Sequence, residues 1–305
     1  MSNMSNTAKY KKPVMKSQKA FDAVAWPVLT LISLICLLPF ILILSGSFTA
    51  NEVIVREGFS LFPKQFSLEA YQNILSVPQK VLSAYWVTIR VTLIGTAVGL
   101  IMISLTGYVL SRKEFTYRNQ VSFLIYFTTI FGGGLIPYYY VMCKMLDLKG
   151  TLTAQWLPGI LSPFLIILMR TFIRESVPDE LCEAAKIDGA GYGTVFVRIV
   201  LPVLKPALAT IGLFLALGYW NDWYRASLFS VNQETWSLQF YLYNMVNKSN
   251  SMNELAISAG ILIQDLPTES VKMAMAILVT GPILVVYPFV QKYFVQGITV
   301  GAVKG

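Results

Sequence analysis

Residues 24–48 read VAWPVLTLISLICLLPFILILSGSF, a run without one charged side chain. A helix needs about 20 predominantly apolar residues to cross the hydrocarbon core of a bilayer. This run is longer than that, too long for the apolar region of a signal peptide, and no small-residue cleavage site follows it. It reads as a retained first membrane span. Further runs of sufficient length lie at residues 84–110, 121–142, 152–173, 206–224 and 271–293. The expectation is an all-α integral membrane protein with six transmembrane helices.

Composition agrees. The 305 residues are 55% hydrophobic and only 13% charged, with a mean hydropathy of +0.59. A soluble domain carries about a quarter of its residues as Asp, Glu, Lys or Arg, and half that supply cannot cover a surface facing water. The 24 Lys and Arg against 16 Asp and Glu leave a net charge of +8. Their placement decides what the excess means. With a cytoplasmic amino terminus the inner side collects Lys9, Lys11, Lys12, Lys16 and Lys19, the cluster at Arg112, Lys113 and Arg118, and the series from Arg170 to Lys205. The outer side receives fewer, scattered among acids. Both termini are therefore expected in the cytoplasm. The basic balance gives no warrant for nucleic acid.

Several chemistries are excluded. There is no histidine, hence no Ser-His-Asp triad, HExxH zinc site or imidazole relay. Cys36, Cys143 and Cys182 show no CxxC spacing, which argues against a metal cage or disulfide framework. No phosphate-binding G-x-x-x-x-G-K-[ST] string occurs. No catalytic or metal-ligating set is expected.

The inner loop over residues 174–206 is longer than a simple connection requires. Ser176 and Asp179 make an S-x-x-[DE] helix start with Pro178 in the first turn, and Glu175, Asp179 and Glu180 suit the positive end of a helix. A helix through about Asp188 is expected, with Leu181, Ala184 and Ala185 on one small apolar face. Gly189, Gly191 and Gly193 end it. A second helical pattern at residues 195–200 leads to Pro202 and the fifth span. A helix-turn-helix against the membrane surface could receive another protein or merely tie two spans together, and the residues alone leave both readings open.

The string Glu183-Ala184-Ala185, three residues, Gly189, nine residues, Ile199, one residue, Leu201-Pro202 resembles the EAA loop of the membrane subunits of binding-protein-dependent ABC importers. Pro178-Asp179-Glu180-Leu181, Ile187-Asp188-Gly189-Ala190 and Lys205-Pro206 resemble the carbohydrate-uptake branch. Gly133-Gly134-Leu135-Ile136-Pro137, Tyr219-Trp220-Asn221 and the ending Gly301-Ala302-Val303-Lys304-Gly305 look like its oligosaccharide and polysaccharide permeases. The resemblance runs from the first span to the end.

It implies a type I ABC importer permease fold with a cytoplasmic EAA coupling loop, in the bacterial cytoplasmic (inner) membrane. Residues 1–20 form a basic tail, 21–305 the transmembrane domain, and 297–305 a tail that reaches between the ATPases through Val303, Lys304 and Gly305. Glu183, Ala184, Ala185, Asp188, Gly189, Ile199, Leu201 and Pro202 would couple to the ATPase. The implied partners are a second homologous permease subunit, two copies of a cytoplasmic ABC ATPase that binds ATP and Mg, an extracytoplasmic sugar-binding protein and an oligosaccharide. The chain itself would carry no cofactor and no enzymatic site. Alternatives are an ABC permease for a peptide or amino acid, an intramembrane lipid-linked sugar enzyme, and a channel or secondary transporter.

Candidates for the substrate path are Tyr138 and Tyr139, whose rings suit the C–H face of a pyranose, together with Gln155, Trp220 and Asn221. Gly132, Gly133, Gly134 and Pro137 weaken the third span beside them, which membranes tolerate where backbone is buried in protein or lines a cavity. An aromatic belt at the outer interface is the competing reading for the tyrosines. Arg90 either attracts an acidic sugar or snorkels outward, and Asp222 with Arg225, three residues apart, is read as a surface pair. The outer segment 225–270 contains an apolar stretch, 255–266, too short to cross and read as an interfacial or re-entrant helix.

Overall fold

The computed structural model describes residues 16–259 and 268–302. Helix α1 (Lys16–Ser47) leads through the short α2 (Asn51–Glu57) and α3 (Glu69–Leu75) to α4 (Pro78–Ser111). Next come α5 (Arg118–Ile130) and α6 (Leu135–Tyr140), the latter continued by a π turn at Val141–Met145. After α7 (Thr153–Trp156), α8 (Pro163–Ser176) and α9 (Asp179–Ile187), a stretch is built from α10 (Tyr192–Val195), a π segment at Phe196–Val200 and α11 (Leu201–Val203). The chain then forms α12 (Lys205–Trp220), α13 (Tyr224–Phe229), α14 (Leu238–Ala259) and α15 (Glu269–Ala302). Among the described residues the only extended pairing is an isolated bridge between Thr49 and Phe66, so the fold is all-α.

Among the described residues three helices are long and apolar enough to cross a membrane: Phe21–Ser47, Pro78–Ser111 and Glu269–Pro288. Three further pairs reach that length only together and are bent, Arg118–Ile130 with Leu135–Met145 by 111°, Thr153–Gly159 with Pro163–Ser176 by 46°, and Tyr192–Val203 with Lys205–Trp220 by 83°. The run 121–142 is thus not one helix. It breaks at Phe131 to Gly134, where Gly134 takes φ 85°, a backbone state that costs an L side chain about 1–2 kcal/mol and that glycine adopts freely.

The longest span, α4, organises the core. Its Val87, Val91, Ile103 and Tyr108 are buried in one cluster with Ile166, Met169 and Ile173 of α8 and Ile211, Leu215 and Tyr219 of α12. Small residues set the approach distance. A Cβ at Gly95 would lie 2.6 Å from the Tyr219 ring, and one at Gly107 2.8 Å from Met169 Cγ, so α12 and α8 pack directly on the α4 backbone. This is how helices associate where lipid removes the hydrophobic contrast. A second cluster joins Ala84 of α4 to Leu238 of α14 and Ala274, Met275 and Val279 of α15. By contrast α1 is exposed almost throughout, Leu29, Leu31, Ile32 and Leu34 included. Such a surface belongs in lipid or against another membrane subunit.

The outer segment differs from its sequence reading. Helix α14 begins at Leu238, far upstream of the apolar stretch at 255–266. Its first turns are fixed by tertiary contacts that hydropathy does not register: the backbone N–H of Leu238 donates to Thr88 Oγ1 at 2.8 Å, and Leu238 itself is fully buried. Residues 260–266 of that stretch lie outside the described residues.

Candidate functional site

The segment that carries the Glu183-Ala184-Ala185 string starts where Pro178 stops α8. The residue before proline is driven to extended backbone, and Val177 has φ −116° and ψ 101°. Pro178 itself is extended at φ −57° and ψ 139°, and α9 begins at Asp179. The expected Ser176 cap does not form. Ser176 is still the last residue of α8 and makes no side-chain bond to α9. Asp179 takes over the start of the helix as a carboxylate at the positive end of the helix dipole.

The end of α9 follows its sequence. Gly189 N–H donates to Lys186 O at 2.9 Å and Ala190 N–H to Ala185 O at 2.9 Å, with Gly189 at φ 83°. This is the paired-bond glycine stop, which needs a residue free to adopt left-handed backbone. Ala185 and Ala190 both pack against the main core and seat the turn on the bundle.

The apolar face is rotated from the expected one. Cys182 is buried and Ala185 is half-covered, whereas Leu181, Ala184, Glu183 and Asp188 are exposed. Ile187, which the sequence reading did not place on the apolar face, is 87% exposed. Since Cys182 is the inward anchor, residues 180, 183, 184 and 187 come to the opposite side by the 100° step of the helix. The result is a free face of Leu181, Ala184 and Ile187 edged by Glu180 and Glu183. The second arm is turned inward: Val195, Phe196 and Val200 are buried, and Ile199 and Leu201 pack against the core, while Pro202 is exposed just before the 83° bend.

Charges from the loop between α4 and α5 grip α9 at both ends. Lys113 Nζ lies 2.8 Å from Asp179 Oδ2, with Arg112 Nη1 3.8 Å from Asp179 Oδ1. Lys186 Nζ lies 2.5 Å from Glu114 Oε1 and 4.5 Å from the Tyr192 ring centroid, and Tyr192 Oη donates to Glu114 Oε2 at 3.2 Å. The hydrogen bond from Lys113 holds the Asp179 carboxyl below its usual range, and that from Lys186 does the same for Glu114. The two lysines are raised in turn by those hydrogen bonds. Pairs this exposed add little stability one by one. Their geometry matters more, because they tie α9 to the C-terminal end of α4. Lys113, Glu114 and Tyr192 were not singled out in the sequence as contacts of α9. No local signal marks them, since Glu114 is 72 residues from Lys186.

At the other end of the bundle each of the five path candidates contacts another part of the fold. Tyr138 and Tyr139 pack on Phe229, with ring centroids 5.6 and 6.1 Å away. Gln155 is 2% exposed, and its Nε2 donates to Thr235 O at 2.7 Å and Ser230 Oγ at 3.2 Å. Trp220 Nε1 donates to Val279 O at 3.2 Å, joining α12 to α15. Asn221 is the exposed member, and its Oδ1 accepts from Gln239 Nε2 at 3.1 Å. Arg90 lies over the Trp86 ring at 5.1 Å. Asp222 and Arg225 do pair, at 2.5 Å, with side chains only 12% and 23% exposed. The pair is thus more interior than a surface pair, and Arg225 also donates to Gln155 O at 2.9 Å. Val303, Lys304 and Gly305 lie outside the described residues.

No family model matches the chain. It is 38% identical over 287 residues to the polygalacturonan/rhamnogalacturonan transport system permease protein YtcP of Bacillus subtilis, which spans 94% of this chain and 99% of the relative. Identity is 37% over 292 residues to protein LplC of Bacillus subtilis, covering 95% and 97%. It is 27% over 283 residues to the arabinooligosaccharides transport system permease protein AraQ of Halalkalibacterium halodurans, covering 90% and 93%. Among solved structures, a bacterial ABC transporter involved in the import of the acidic polysaccharide alginate matches with a TM-score of 0.76 and 30% identity, over 92% of this chain and 98% of that one. Family and apolar helices together make this a multi-pass protein of the bacterial cytoplasmic membrane, and a transport subunit rather than an enzyme. With near-full-length identity well above 30% to permease proteins of sugar transport systems, the chain belongs to the family of carbohydrate-type ABC transporter permeases.

Proposed function

We propose that this chain is one half of the translocation path of an ATP-driven importer for an oligosaccharide or polysaccharide fragment, coupled to a cytoplasmic ATPase through α9. Six spans with both termini in the cytoplasm, a second homologous permease subunit, two ATPase copies holding ATP and Mg, and an extracytoplasmic sugar-binding protein complete the assembly. The observation that carries the coupling is the free face of α9. A leucine and an isoleucine are held outward on a helix whose own polar ends are paired with the bundle, and such a presentation suits a groove on a partner. The acids Glu180 and Glu183 at its edge complement basic or hydrogen-bonding groups there. Movement of the partner then reaches α4 through Asp179 and Lys186. The 303–305 tail is assigned to the same ATPase contact.

Supporting a sugar substrate are the names of the relatives, two of which concern polysaccharides rich in uronic acids. Acidic fragments are therefore the first substrates to try. Cross-linking tests the coupling: Ala184→Cys in the assembled complex should form a nucleotide-dependent link to a cysteine in the ATPase cleft. No link in any nucleotide state, with the complex intact, overturns the assignment. Uptake of labelled galacturonan fragments against neutral oligosaccharides tests the substrate class.

A further inference from the structure

The inner ends of α4, α5 and α8 enclose a cavity of about 360 Å³ beside the root of α9. Its polar lining is cationic: Lys113, Arg118, Arg170 and Arg174, with Asn119 among them. The one carboxylate in the lining, Asp179, already pairs with Lys113. Among the described residues no carboxylate lies within ion-pair distance of Arg118, Arg170 or Arg174. Arg170 Nη1 donates to Ser122 Oγ at 3.0 Å, but its Nε is buried without a hydrogen-bond partner. A buried guanidinium donor left unpaired is costly, and three guanidiniums around one void repel each other. An anion with several acceptor oxygens removes both penalties, and phosphate is the group whose geometry the guanidinium fork matches.

From this geometry we infer that the cavity holds the phosphodiester headgroup of an anionic phospholipid of the cytoplasmic leaflet. The source follows from what adjoins the arginines. On α8, Ile167 lies one turn from Arg170 and two turns from Arg174 on the same side of the helix and is exposed, and Phe164 is exposed a further turn along. At 1.5 Å per residue, Phe164 lies about 9 Å deeper than Arg170, at the depth of acyl chains below a headgroup. A basic pocket between spans on the cytoplasmic side, continuous with an apolar surface, is the arrangement that selects anionic lipid. Because Asp179 forms part of the wall, the headgroup sits against the first residue of α9.

The test is native mass spectrometry of the assembled transporter reconstituted in mixed phosphatidylglycerol and phosphatidylcholine vesicles and released in mild detergent. The wild type should retain phosphatidylglycerol in preference to phosphatidylcholine, and excess inorganic phosphate should not displace it. Arg118→Gln and Arg174→Gln should each weaken retention about fivefold, and Arg118→Lys with Arg174→Lys should largely restore it. No lipid preference in the wild type, a measurement that requires no variant to fold, overturns the inference. So do unchanged retention in the glutamine variants, displacement by inorganic phosphate, or a carboxylate of a neighbouring subunit found in the cavity. Binding is read without ATP or sugar, so its failure is distinguishable from failure of the coupling reading.

Discussion

The two ends of the bundle use polar side chains in opposite ways. At the end that carries α13, Gln155, Trp220, Asp222 and Arg225 bond inward to carbonyls and to one another, and most of them are covered. At the end that carries α9, Lys113, Glu114, Asp179 and Lys186 pair across segments at the edge of the protein, and the helix they hold keeps a free apolar face. Inward satisfaction makes a scaffold whose parts cannot separate cheaply. Peripheral pairs position a helix without covering it, which is what a docking element that must transmit motion requires.

The contrast is easiest to break at the free face. Ile187→Asp should reduce ATP-driven uptake about a hundredfold, the scale of a lost interface anchor, with the thermal stability of the inserted subunit unchanged; uptake assays paired with a melting curve check this. The end that carries α13 should respond in the opposite sense. Asp222→Ala strands Arg225 and should destabilise the fold by about 3 kcal/mol, read from thermal unfolding in detergent, before any specific effect on coupling. Gly95→Leu should act the same way by forcing the Tyr219 ring off α4, at about 1–3 kcal/mol.

The clasp itself sharpens the comparison. Glu114→Lys or Lys186→Glu alone should lower coupled transport about fivefold, a typical coupling energy, and the double exchange should restore most of it. Asp179 and Glu114 titrate below ordinary carboxylates, so the stability they contribute is present above the ordinary range and lost only as pH falls through the lowered values. The raised Lys113 and Lys186 lose their contribution only as pH rises past their own values. Coupled hydrolysis should therefore be flat through neutral pH as far as this clasp is concerned, with the clasp failing only in acid beneath the ordinary carboxylate range. The smallest effect belongs to Lys64→Ala, which removes an exposed pair with Glu57 and should shift stability by less than about 0.5 kcal/mol.

Much of this architecture is legible in single residues. Long apolar runs mark α1, α4 and α15 because lipid leaves a helix no other way to satisfy its backbone. Gly134 and Gly189 mark a break and a stop because only glycine takes their φ without strain. The missing parts are those decided by distant partners. Ser176 matches a cap pattern, but α8 claims it. Cys182 turns inward, which rotates α9 and exposes Ile187. Thr88 starts α14 from 150 residues away, and the Lys113–Asp179 and Glu114–Lys186 pairs join loops that no sequence window contains. Of the path candidates, Gln155 and Trp220 carry polar groups that a sequence marks as functional, and the fold employs them in its own bonds.

The central claim is that α9, stopped at Gly189, transmits the ATPase cycle to the membrane helices. Its most direct test is ATP-dependent uptake by complexes carrying Gly189→Asp, with insertion and assembly of the subunit measured in the same membranes. The account predicts that the subunit inserts and uptake is abolished, since the aspartate strains the turn that presents the free face. Undiminished uptake by an inserted Gly189→Asp subunit would contradict it.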